Sequence, residues 1–116
     1  MPFVSKAVQV LHSTFTPNPV DGLRGSQMAA GRHKKALEVQ SQALEEARAA
    51  RAQLERSVGI LALDELDTDE AYAELRLVEG RVRQLEQAVA VAKERLGSAE
   101  LAVKASEKEV LRLQLL

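Results

Sequence analysis

The sequence predicts an all-α fold: an antiparallel two-helix coiled-coil hairpin with a short N-terminal arm. Three observations predict it. Ala, Leu, Glu, Lys and Arg supply 64 of the 116 residues, the composition of long helices and coiled coils. Apolar residues recur at heptad spacing through two stretches, both inside residues 26–116, where there is no proline. A short acidic segment separates the two stretches, and a short connection makes consecutive helices antiparallel neighbours.

The same composition narrows the function classes. Hydrophobic residues make up 46% of the chain but aromatics only 3%, namely Phe3, Phe15 and Tyr72. Ala buries little area, and the large ring fillers of a globular core are nearly missing. There is no Cys, hence no disulfide framework and no thiolate metal site. A net charge of -1 argues against a strongly basic nucleic-acid binder. No run of 18 apolar residues is present, so no membrane span is expected. The stretch from Ala7 to Leu11 is too short and polar for a secretory signal. The expected location is the cytoplasm, or a virion assembled there.

The arm comprises residues 1–25, with all three prolines, Pro2, Pro17 and Pro19. Val4, Val8, Leu11 and Phe15 fit a helical stripe, and Pro2 suits a helix start. An extended arm is the alternative, since Val and Thr are frequent there. Thr16-Pro17-Asn18-Pro19 ends either structure, because a residue before proline is pushed to extended backbone.

The first hairpin helix is expected over 26–63, with Ser26 as N-cap. Its seam is Leu37, Leu44, Arg51 and Val58, with Gln40, Ala47, Leu54 and Leu61 three residues later. Ala29, Ala36, Ala43 and Ala50 line the adjoining edge, where small side chains let a partner helix approach closely. Gly59 marks a point of early ending or kinking.

Residues 64–69 form the acidic turn. Asp67 and Glu70 fit a capping box, with Leu66 and Ala71 placed as a hydrophobic staple. No Gly or Pro forces a turn, so one continuous helix is the rival arrangement.

The second helix is expected over 70–114. Leu75, Val82, Val89, Leu96, Val103 and Val110 recur every seven residues. Val78, Leu85, Ala92, Ala99, Ser106 and Leu113 follow three residues after each. This is a six-heptad a/d seam with charged residues beside it. Gly80 and Gly97 fall at outer positions, costing about 1 kcal/mol each relative to Ala.

If the tip centres near residue 66 or 67, residue i faces residue 133 minus i. Leu44 then meets Val89, Leu37 meets Leu96, and Arg51 lies near Val82 within reach of Glu79. A first helix starting at Ser26 runs out opposite residue 106. Val110, Leu111, Leu113, Leu115 and Leu116 are left over, an overhang of about 12–15 Å. These residues and Phe3, Val8, Leu11 and Phe15 are therefore expected as apolar docking ends.

Catalytic chemistry finds no foothold. His12 and His33 lie in different segments, and no metalloprotease helix, phosphate loop or nucleophile triad is present. No metal and no cofactor are expected. Arg32, Lys34 and Lys35, and Lys104, Lys108 and Arg112, make the end opposite the turn basic. Without interleaved aromatics these read as solvated charges rather than a nucleic-acid surface.

The candidate interaction site is the acidic tip: Asp64, Glu65, Asp67, Asp69 and Glu70. A solvated turn explains these residues; a carboxylate finger for a cation or a basic surface is the sharper alternative. The tip resembles that of Gre-class transcript-cleavage factors and related secondary-channel regulators. Asp64 and Asp67 carry the likeness, with Glu70-Ala71-Tyr72-Ala73-Glu74-Leu75-Arg76 and Glu79-Gly80-Arg81-Val82 on the rising helix. The likeness covers roughly a third of the chain, and the globular domain that anchors those factors has no counterpart. It implies an acidic coiled-coil tip reaching into an RNA polymerase channel. The residues themselves point first to a non-catalytic interaction protein. In this reading the hairpin is a subunit or adaptor of a larger assembly such as a virion or secretion machine, with itself or other proteins as partners.

Overall fold

The computed structural model describes residues 18–115. They form a helical hairpin of two long helices, α1 (Pro19–Leu63) and α2 (Asp69–Gln114), packed against each other. At 1.5 Å per residue, 46 residues of α2 span about 69 Å.

α1 starts seven residues before the expected Ser26. Asn18 is its N-cap, with extended backbone and a side-chain oxygen that accepts from the Val20 amide at 3.0 Å. The Asn18 carbonyl accepts the first helical bond, from Gly22, at 2.9 Å. The restriction that proline places on the preceding residue holds at Asn18, but its consequence is reversed. An extended residue followed by proline is also the geometry of an N-cap followed by N1. Asn18-Pro19 therefore starts a helix, and residues 19–25 belong to α1 rather than to a linker. Gly59 neither ends the helix nor meets any neighbour that a Cβ would touch.

The turn is made without glycine. Glu65 takes the left-handed conformation with φ of 54°. Its amide donates to the Ala62 carbonyl at 3.2 Å, and the Leu66 amide to the Leu61 carbonyl at 2.9 Å. This pair of bonds is a Schellman motif, which satisfies carbonyls that the helix end leaves open. A glutamate at this position carries a backbone cost of about 1 kcal/mol that glycine avoids. The expected capping box does not form: the N-cap of α2 is Thr68, one residue after Asp67, and its side chain makes no cap bond. Asp67 Oδ1 accepts from the Asp69 amide at 3.0 Å. Among the described residues Glu70 returns no bond to the Asp67 amide, and Leu66 of the expected staple is exposed.

The core lies in the half of the hairpin nearer the turn. Leu44, Ala47, Val82, Leu85 and Val89 form one buried cluster, with Leu37, Ala43 and Val78 packed against it. Val58, Leu75 and Ala92 are also buried. Each fully buried Val or Leu contributes about 1.5–3 kcal/mol. Leu54, Leu61, Leu96, Val103 and Val110 are half-buried. The pairing follows the heptad register closely: Leu44 and Val89 share the cluster, Ser26 Oγ lies 3.3 Å from Ser106 Oγ, and Arg48 pairs with Glu86 at 3.6 Å.

Two expectations change with the longer α1. Its start at Pro19 places that residue level with Gln114, so the first helix does not run out at residue 106. Val110 and Leu113 line a small groove with Asn18, Pro19 and Val20. The seam of α1 also extends upward through Leu23, Ala30, Ser26 and His33, all half-buried. Arg51, expected to reach Glu79, pairs instead with Glu55 on its own helix at 3.7 Å. The shorter path one turn along a helix suffices for an exposed pair.

Candidate functional site

The acidic tip is fully solvated. Asp64, Glu65, Asp67, Asp69 and Glu70 are all exposed. Asp67, one residue before the N-cap Thr68, accepts from the Asp69 amide, and Asp69 and Glu70 sit in the first turn of α2, where negative charge is favourable. The carboxylates do not converge: no group of three or more His, Asp or Glu side chains able to hold a cation occurs among the described residues.

The apolar ends separate into three groups. Val110, half-buried, and Leu113, still exposed, line a groove with the start of α1. Leu111 and Leu115 are exposed. Phe3, Val8, Leu11, Phe15 and Leu116 lie outside the described residues, as does the expected arm helix.

The flanks of the seam differ from each other in a way the seam positions do not reveal. In an antiparallel pair the e positions of both helices share one side and the g positions the other. The e side is charged. Arg48 and Glu86 bridge the helices there, and Arg51, Glu55, Glu79 and Arg83 surround the same groove. The g side is mixed: Ala36, Ala43 and Ala50 of α1 and Ala88 of α2 are small, while Glu74, Arg81 and Arg95 of α2 are charged and exposed. A groove of about 570 Å³, open to solvent, runs between Ala36 and Gln40 of α1 and Gln84, Ala88, Val91 and Ala92 of α2. His33 and Arg95 stand at its upper end. At the outer edges of this side, in heptad position c, stand Val39 and Ile60 of α1 and Leu77 and Val91 of α2. All four are exposed.

No known protein family, curated protein or solved structure matches the chain. The geometry alone therefore carries the functional reading. Sequence reasoning followed positions a, d, e and g, and missed the four apolar residues at c. Their signal was present: each lies a whole number of heptads from its partner on the same helix, Val39 from Ile60 and Leu77 from Val91. No described helix is long and apolar enough to cross a membrane.

Proposed function

We propose that the chain is a non-catalytic interaction protein, a helical-hairpin subunit or adaptor that docks laterally onto other protein surface in a larger assembly. The observation that supports this reading is the uncovered g side. Two helices make a single layer, and a stable domain is built from at least two. Here one flank of that layer is charged and suits water, while the other presents Val39, Ile60, Leu77 and Val91 to it, with Glu74, Arg81 and Arg95 among them. The cytoplasm, or a particle assembled there, is the compartment this reading carries.

The test is purification of the tagged full chain from its native source, beside a Val39→Glu/Leu77→Glu variant. Both sites are exposed, so the helices should survive, as circular dichroism will show. A stoichiometric partner held by the parent and lost from the variant supports the reading. Equal retention by both, or no partner on either together with a chain that stays monomeric in sedimentation, overturns it.

A second reading rests on five exposed carboxylates at the outermost end of a long rod. Here the tip acts as a finger inserted into an enzyme channel, as in Gre-class factors. Asp64→Asn with Asp67→Asn removes two charges while keeping an oxygen at residue 67 that can accept from the Asp69 amide. Loss of an effect on RNA polymerase in a transcription assay, with an unchanged melt, supports it. An unchanged effect reduces the tip to a turn.

A further inference from the structure

The exposed apolar residues of the g side, and the pair Glu74 and Arg95 among its charges, repeat about a single level of the hairpin. On α2, Leu77 and Val91 lie equally far on either side of Gln84. On α1, Val39 and Ile60 are centred between Ala49 and Ala50. In the hairpin's register these two centres stand at the same height. Two of the charges on α2 follow the same centre with opposite signs: Glu74 lies about as far below Gln84 as Arg95 lies above it, whereas Arg81 faces the neutral Gln87 level.

A face with this pattern is complementary to itself after a half-turn about an axis lying across both helices. We propose that a second copy of this chain docks antiparallel on the g side, with its two-fold axis at the level of Ala50 and Gln84. This rests on the interaction reading above and names the partner. In that arrangement Leu77 of one copy meets Val91 of the other, Val39 meets Ile60, and Glu74 meets Arg95. Each contact occurs twice, as an isologous interface requires. Gln84 meets its own equivalent on the axis, and two amides can donate to and accept from each other. The alanines flanking the groove permit the close approach.

Two arguments favour this orientation over hairpins packed tip to tip. Parallel copies would bring two sets of five tip carboxylates to one end, and like charges repel there. They would also set Ile60 between Glu70 and Leu77 of the partner and leave Glu74 and Arg95 without each other. The area is adequate. Roughly 30 residues of each helix give a strip about 45 Å long, and two helices are about 20 Å wide. The product, about 900 Å² per copy, matches the contribution of each partner to a standard stable interface.

The absence of native Cys makes single-cysteine linking a direct test. Cα atoms more than about 7 Å apart cannot be bridged. Gln84→Cys is expected to link two chains under mild oxidation. Leu77→Cys and Val91→Cys are each expected to stay unlinked alone, because their equivalents lie about 20 Å apart across the axis. Mixed, they should form one heterodimeric product. Sedimentation of the parent chain should show a dimer, and Val91→Glu should weaken self-association about a hundredfold, since the axis buries the new charge twice. A monomer at every concentration overturns the proposal, as does linking of Leu77→Cys to Ile60→Cys in place of Val91→Cys. Those results leave the interaction reading standing wherever a different chain is retained by the parent and lost from the Val39→Glu/Leu77→Glu variant.

Discussion

The half of the seam near the turn and the half near the open end are built on the same heptad and pack differently. Near the turn, a and d positions hold Leu44, Ala47, Val82, Leu85 and Val89, and all are buried. Toward the open end the same positions hold Ser26, His33, Gln40, Ala99 and Ser106, and none of these is buried. Spacing brings both halves together; side-chain size and polarity decide how much water each excludes. A register can thus be continuous while the stability it carries is concentrated at one end.

The largest effects should come from testing that division directly. Leu85→Ala, in the buried cluster, should cost about 2–4 kcal/mol, because a cavity is left where the neighbours cannot collapse fully. Leu96→Ala, half-buried, should cost about 1 kcal/mol by the area it covers. Urea denaturation of both variants measures the gap, and equal losses would abolish the distinction. Amide exchange should show the same division, with protection highest around Val82, which is 1% exposed.

Next in size is a change that erases the difference. Ser26 and Ser106 share one hydrogen bond across the open half. Ser26→Ala with Ser106→Leu replaces both partners by apolar groups and should stabilise by roughly 1–2 kcal/mol. A lower denaturation midpoint would show that the open half needs its polar pair.

Asn18→Ala should cost about 1 kcal/mol, the usual value of an N-cap. Exchange should quicken from Val20 to Ser26 and stay unchanged at Leu44, which would place the loss in the open half alone. The smallest effect is at the opposite end. Glu65→Gly should raise stability by about 0.5–1 kcal/mol, since glycine adopts the left-handed backbone freely. A calorimetric melt reads it, and a lower midpoint would mean that Glu65 makes up its backbone cost elsewhere.

Much of the hairpin was legible beforehand because a helix repeats every 3.6 residues whatever its surroundings. Leu44 opposite Val89 follows from spacing once the chain reverses near residue 66, a reversal that spacing leaves open against one continuous helix. The start of α1 was not legible. Asn18 and Ser26 are both good caps, and local preference does not choose between them. The uncovered g side was equally hidden while each helix was considered by itself, because Val39 and Leu77 at position c belong to one surface only once the helices pair.

The sequence by itself determined two heptad stretches and the register they take if the chain reverses between them, because periodicity is a local property; the reversal itself, against one continuous helix, is seen in the packed hairpin. The tertiary structure decided three further matters. It set the first helix to begin at Pro19, where Val110 and Leu113 line a groove with it. It turned the chain on a left-handed Glu65 where no glycine marks the place. It also set Val39, Ile60, Leu77 and Val91 on one side, with Glu74, Arg81 and Arg95 among them, opposite the side where Arg48 and Glu86 bridge the helices. Each depends on what lies across the seam, and contacts between residues far apart in the chain are where local preference gives way to packing.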